Sequence, residues 1–269
     1  MVAHRGSSED VPEHTLAAYR KAIEDGADAL ECDVRLTADR HLVCVHDRRV
    51  NRTSNGRGAV STLELADLAA LDFGSWKPEG VDEPDNDPER RSVLTLERLL
   101  ELIRDTDRRV ELAIETKHPT RYAGQVEEQL LELLRRFGMD KPAPGEPPRV
   151  RVMSFSTRSL RRVQAGAPGL PTVFLMPFVP PHYRDGKLPA GVRIAGPHIR
   201  ILRANPGYVA RLHREGHRVH VWTVDDPRDV ELCQKLGVDA IITNRPRRVR
   251  EQLEHNSQKS PSWRDLAHG

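Results

Sequence analysis

The stretch ALECDVRLTADRHLVCVHD, residues 29–47, sets Glu31, Asp33, His46 and Asp47 into two apolar runs. Glu31 and Asp33 are two apart on a strand and project from one face, while Leu30, Cys32 and Val34 project from the other. Two carboxylates roughly 6 Å apart repel by about 3 kcal/mol at an effective dielectric near 20, so a counter-charge must meet them. For an isolated acid pair an Arg or Lys salt bridge is the simpler reading. A third acid changes the balance: Glu115 ends the run VELAIE, with Lys117 two residues on and on the same face. Three carboxylates converging on one point offer oxygen ligands to one hard divalent cation, Mg2+ or Ca2+, and no Cys/His cluster with zinc spacing competes.

Two histidines end neighbouring runs, His4 in AHRG and His46 in HLVCVH, whereas His213, His217 and His255 read as helix or loop surface. Two imidazoles beside a carboxylate-bound cation supply one general base and one general acid near neutral pH. Arg5 and Lys117 add fixed positive charge, and Arg suits a forked contact with phosphate. Together these groups describe phosphoryl-transfer chemistry.

The elements that must position them are β-type runs at residues 1–4, 29–34, 110–115, 150–155, 172–176, 192–196, 220–224 and 239–243. Helical patterns at 14–26, 95–105, 124–138, 157–166, 205–216, 226–237 and 245–255 lie between most of them or close the series. The alternation predicts an α/β fold, a closed (β/α)8 TIM barrel whose strand ends carry the site. The run 41–46 follows the second strand too closely for a parallel crossover and predicts an extra antiparallel hairpin strand. With Asp39 and Arg40 as a two-residue turn, His46 stands opposite Asp33. Residues 48–91 read as irregular apart from TLELADLAALD, 62–72, with EGVDEPDNDPER as a surface loop. The Pro-rich DKPAPGEPP, 140–148, reads as a connector within the barrel. One domain is expected over 1–255, followed by a loose tail over 256–269.

Composition narrows the partners. In 269 residues, 42 basic side chains nearly balance 40 acidic ones, and a net charge of +2 argues against nucleic acid or an anionic membrane and for a small solute. No run reaches the roughly 20 apolar residues that cross a bilayer, so stable membrane insertion is not expected. The opening MVAHRG lacks a signal-peptide pattern. Cys32, Cys44 and Cys233 sit in apolar runs and form no disulfide framework, so the expected location is cytoplasmic. No pattern specifies an oligomeric state.

The motifs AHRGSSEDVPEHT, GADALECDVRLTADRHLVCVHD, NRTSNGRG followed by STLELADLAALDFGSWK, LTLERLLELI, AIETK, VMSF, VWTVDD and GVDAIITNRP run from Val2 to Leu253. In this combination the chain resembles the glycerophosphodiester phosphodiesterase family. The resemblance implies a (β/α)8 barrel that hydrolyses glycerophosphodiesters to sn-glycerol 3-phosphate and an alcohol. It implies Glu31, Asp33 and Glu115 as ligands of the divalent cation, His4 and His46 as the catalytic acid/base pair, Arg5 and Lys117 as phosphate contacts, and Glu13 and Trp222 as residues lining the site. It further implies attack of the glycerol 2-hydroxyl on phosphorus, giving a cyclic phosphate that water opens. Two positions depart from the family pattern. Where the family reads P-E-N-T, this chain has Pro12-Glu13-His14-Thr15, an imidazole for an amide, and its last strand ends Thr243-Asn244 rather than Thr-Asp. Two other readings were open to the motifs. A lysophospholipase D-like or phospholipase C-like lipid phosphodiesterase would want a membrane-facing apolar surface, against 4% aromatic residues. A non-catalytic barrel that binds a phosphorylated ligand would have no use for a paired acid and base.

Overall fold

The described residues, 1–77 and 87–259 of a computed structural model, form nine strands. They are Val2–His4 (β1), Ala29–Leu36 (β2), Leu42–Cys44 (β3), Glu111–Thr116 (β4), Val150–Ser154 (β5), Thr172–Met176 (β6), Ile194–Pro197 (β7), Arg218–Val221 (β8) and Ala240–Thr243 (β9). All but β3 run parallel, and β1 pairs with both β2 and β9, so eight strands close into the expected barrel and β3 lies outside the ring.

Two apolar layers hold it. Val2, Ala29, Ala113, Met153, Val173 and Ile242 fill the interior. On the outer face Leu30, Cys32 and Val34 pack against the helices. The helix Leu96–Arg104 shows why those helices form: Leu96, Leu99, Leu100 and Ile103 recur on one face and are buried, and the Thr95 hydroxyl accepts the Arg98 N–H to cap the first turn. The helices Leu16–Glu24, Gln125–Arg136, Thr157–Gly166, Gly207–Arg214 and Pro227–Leu236 fall within or upon their expected spans. Among the described residues no helix is long and apolar enough to cross a membrane.

Four elements differ from expectation. The helix Ile199–Ala204 is too short for a helical period to register, and β8 begins two residues early, at Arg218. The last helix runs from Pro246 to Lys259, past the expected start of the tail, and residues 260–269 lie outside the described residues. In the expected surface loop, Pro88–Arg91 forms a helical turn capped by Asp87, and residues 79–86 lie outside the described residues.

The hairpin requires a correction. Val34 pairs with Cys44, Arg35 with Val43 and Leu36 with Leu42, one residue away from the expected register. The cause is the loop. Thr37 N–H donates to the His41 carbonyl at 3.0 Å, leaving three residues in the connection, and Arg40 closes it at φ 68°. Asp39 secures this shape by accepting from the Thr37 hydroxyl at 2.6 Å and the Leu65 N–H at 3.1 Å. Val45, not His46, therefore lies level with Asp33, and its N–H donates to the Asp33 carbonyl at 3.0 Å.

Candidate active site

Parallel register does the first work. β2 presents Glu31 and Asp33 inward, and β4 sets Glu115 level with Asp33. Oxygens of Glu31, Asp33 and Glu115 lie within 4.8 Å of one another, and all three residues are buried. Asp33 Oδ2 stands 3.0 Å from Arg5 Nε and accepts from His14 Nε2 at 2.9 Å. Lys117 Nζ lies 3.0 Å from Asp33 Oδ1 and donates to Glu115 Oε1 at 2.8 Å.

These contacts divide the acids. Burial alone would raise the Asp33 carboxyl, but Lys117, Arg5 and His14 hold it well below the usual range. Burial and the Asp33 charge push Glu31 well above that range and Glu115 up to about 8. Fully ionised, the three carboxylates outweigh Arg5 and Lys117 by one negative charge, which would repel a phosphodiester. A divalent cation among them reverses that sign. The donor set fits such an ion: three clustered carboxylates supply hard oxygens, and the buried Asp33 Oδ1 accepts no hydrogen bond among the described residues although Lys117 is near.

A cavity of about 100 Å3 opens beside the acids. His4, Arg5, Glu31, His46, Glu115 and Lys117 line one part of it, and Met153, Phe155, Leu175, Trp222 and Ile242 the apolar remainder. Both catalytic candidates thus reach it, His46 despite the shifted register. The chain leaves β3 at Cys44, and the Arg35 guanidinium donates twice to the His46 carbonyl, at 3.0 and 2.7 Å, which sets the turn.

Each imidazole is tied at Nδ1. His4 Nδ1 lies 2.7 Å from Asn244 Oδ1, and Asn244 Nδ2 donates to Asp225 at 2.7 Å, which fixes the amide with its oxygen toward His4. His4 Nδ1–H is therefore the donor, and Nε2 carries the free lone pair. Burial, then Arg5, lower His4 to about 4. His46 Nδ1 lies 2.7 Å from Asp47 Oδ1, and Arg52 Nε donates to Asp47 Oδ2 at 2.7 Å. Burial also lowers His46, with Asp33 opposing.

The remaining expected site residues take different places. Glu13 stands behind the cavity wall, pairing with Arg5 at 3.0 Å and Arg52 at 2.8 Å. Trp222 lines the cavity, donates from Nε1 to the Gly196 carbonyl at 2.6 Å, and meets Phe155 edge-on at 5.4 Å. Four contributors escape the sequence reading. Asp47 orients His46; its adjacency to that histidine is the signal. Asn244 orients His4, which barrel closure between β1 and β9 could have suggested. Arg35 and Arg52 carry no sequence mark.

The model of the glycerophosphoryl diester phosphodiesterase family matches residues 4–248. The "Probable glycerophosphodiester phosphodiesterase 1" of Mycobacterium tuberculosis is 46% identical over 255 residues, 94% of this chain and 92% of its own length. A glycerophosphodiester phosphodiesterase of Caldanaerobacter subterraneus subsp. tengcongensis is 35% identical, over 91% of this chain and 94% of its own. In fold, a solved phosphodiesterase of Oleispira antarctica in complex with the product sn-glycerol-3-phosphate is similar at a TM-score of 0.81 and 23% identity, over 94% of this chain and 96% of that one.

Proposed function

Because the chain belongs to the glycerophosphoryl diester phosphodiesterase family, and is a hydrolase of phosphoric diesters, we propose that it releases sn-glycerol 3-phosphate from glycerophosphodiesters by acid/base catalysis between His4 and His46. Glu31, Asp33 and Glu115 would hold one divalent cation, Mg2+ or Ca2+. When bound, that ion supplies positive charge to the phosphate oxygens and offsets charge that develops there.

The side chains divide the rest of the work. Arg5 and Lys117 bind the phosphate, and Glu13 and Asp33 hold Arg5 in place. His4 Nε2, bare because Nδ1 carries the proton that the Asn244 amide oxygen accepts, takes the proton of the glycerol 2-hydroxyl as that oxygen attacks phosphorus. His46, whose imidazolium form the Asp47 carboxylate favours, gives a proton to the departing alcohol oxygen. In the second step the roles reverse: His46 takes a proton from water, and His4 returns its own to the 2-oxygen as the cyclic phosphate opens. Trp222 and its apolar neighbours exclude water from that side of the cavity.

One observation carries this reading: two Nδ1-tethered histidines line a single cavity at the strand ends together with Glu31 and Glu115 of a cluster of three mutually close carboxylates. The test is release of sn-glycerol 3-phosphate from a panel of glycerophosphodiesters, with chelator and metal add-back. Wild-type turnover that needs Mg2+ or Ca2+ and is lost in His4→Ala and in His46→Ala is expected; full activity in either variant overturns the role assignment. The free buried thiols Cys32, Cys44 and Cys233 agree with the cytoplasm as the proposed location.

A further inference from the structure

Lys117 also lines a second, small pocket of about 20 Å3, which shares Lys117 itself with the catalytic cavity. Arg35, Arg48 and Arg121 share that pocket with it, and among the described residues no carboxylate does. Arg35 gives its Nε and Nη2 protons to the His46 carbonyl oxygen and forms no ion pair among the described residues. Arg48 and Arg121 are exposed, and among the described residues neither meets a carboxylate; the Arg121 guanidinium lies 5.9 Å from the centre of the Tyr122 ring. The cations of the catalytic cavity are different in kind. Arg5, Lys117 and the nearby Arg52 are each matched by two acids. Positive charge without a matching acid therefore stands together on this side of the barrel mouth, on β2 and in the connections that follow β3 and β4.

We infer that this wall is a subsite for a leaving alcohol that carries its own anionic group, a phosphate monoester or a carboxylate. The inference rests on the phosphodiesterase reading and narrows it to a substrate class: glycerophosphodiesters with a negatively charged head group. Arg supplies forked donors for such a group, and Arg48 and Arg121 are free to turn toward it. A cationic head group would need the other wall, where the aromatic side chains Phe155 and Trp222 stand. That seat is compromised, because Lys117 Nζ already lies 6.0 Å from the centre of the Phe155 ring and repels a second cation there.

The test compares kcat/KM for three diesters: glycerophosphoglycerol, the same molecule with a terminal phosphate monoester, and glycerophosphocholine. The phosphorylated diester is expected to exceed the one with the uncharged head group by about tenfold at low ionic strength, with the gap closing as salt is added. Glycerophosphocholine is expected to be the poorest of the three. R48E and R121E are each expected to lower the phosphorylated-to-uncharged head-group ratio by about fivefold. Equal kcat/KM for the diesters with anionic and uncharged head groups, a preference for choline, or an unchanged ratio in both variants overturns the subsite alone. Turnover of none of the three overturns the phosphodiesterase reading and the subsite together.

Discussion

His14 Nε2 donates to Asp33 Oδ2 at 2.9 Å, while its Nδ1 lies 2.8 Å from the Tyr19 hydroxyl. The residue holds φ 62° to do so, at the turn just before the helix Leu16–Glu24. Asp33 is thus oriented from behind by a ring that is itself pinned to a helix. Losing the partner that orients a metal ligand costs about 10-fold to 100-fold in metal affinity. Calorimetric titration of His14→Ala with Mg2+ or Ca2+ is expected to show a loss in that range. His14→Asn, whose amide can donate and whose backbone tolerates positive φ, is expected to recover most of it. Wild-type affinity in His14→Ala would remove the positioning role.

Asp47 acts through His46, from which it is separated by 2.7 Å. Its carboxylate favours the protonated ring that the proposed acid requires, and Arg52 fixes the carboxylate in turn. Direct loss of an acid or base group typically costs about 10²-fold to 10⁴-fold in rate. His46→Ala is expected within that range, and Asp47→Asn below it, through kcat rather than KM. The pH profile separates orientation from packing: the limb assigned to His46 is expected to move to lower pH in Asp47→Asn. An unmoved profile with a lowered kcat would count against this role.

Removal of the cation is expected to be visible without substrate. A ligand bound only by the folded state stabilises it by about 2.7 kcal/mol at 100 times its dissociation constant. Thermal denaturation with excess Mg2+ or Ca2+ and with chelator should therefore differ by several degrees for the wild type. The difference is expected to vanish in Glu31→Ala and in Glu115→Ala, which each take one carboxylate from the cluster. A cation-induced shift that persists in both variants would place the ion elsewhere.

The acids are legible in the chain because the strand period of two leaves Glu31 and Asp33 only one face, and the parallel crossover brings Glu115 to the same level. Barrel closure is legible for a similar reason, since apolar runs and helical periods alternate along nearly the whole length. The hairpin register is not. It turns on one residue of loop length, and Arg40 occupies a left-handed position that usually advertises itself with Gly or Asn. The tethers of the histidines divide likewise. Asp47 is next in sequence to its partner, whereas Asn244 reaches His4 across 240 positions and only through the pairing of β1 with β9. The departure from Asn to His14 could be read as a substitution, but its contact with Asp33 depends on a backbone angle that no side-chain pattern specifies.

His220 makes the stability of the fold depend on pH, away from the catalytic groups. It is buried in β8, its Nδ1 meets no hydrogen-bond partner among the described residues, and Arg151 and Arg218 are the charges nearest in effect. Burial first, then those two guanidinium groups, hold it well below the ordinary histidine value of 6.5. The unfolded chain then binds a proton that the folded state refuses. Stability from this residue is complete above about pH 6.5 and declines as the pH falls below it, by up to about 1.4 kcal/mol per pH unit, until the folded ring titrates. His220→Gln removes the titrating group while keeping a polar side chain. In urea unfolding between pH 7.5 and 5, its stability is expected to fall less steeply than that of the wild type, and parallel curves for the two proteins would show that His220 contributes nothing to the acid limb.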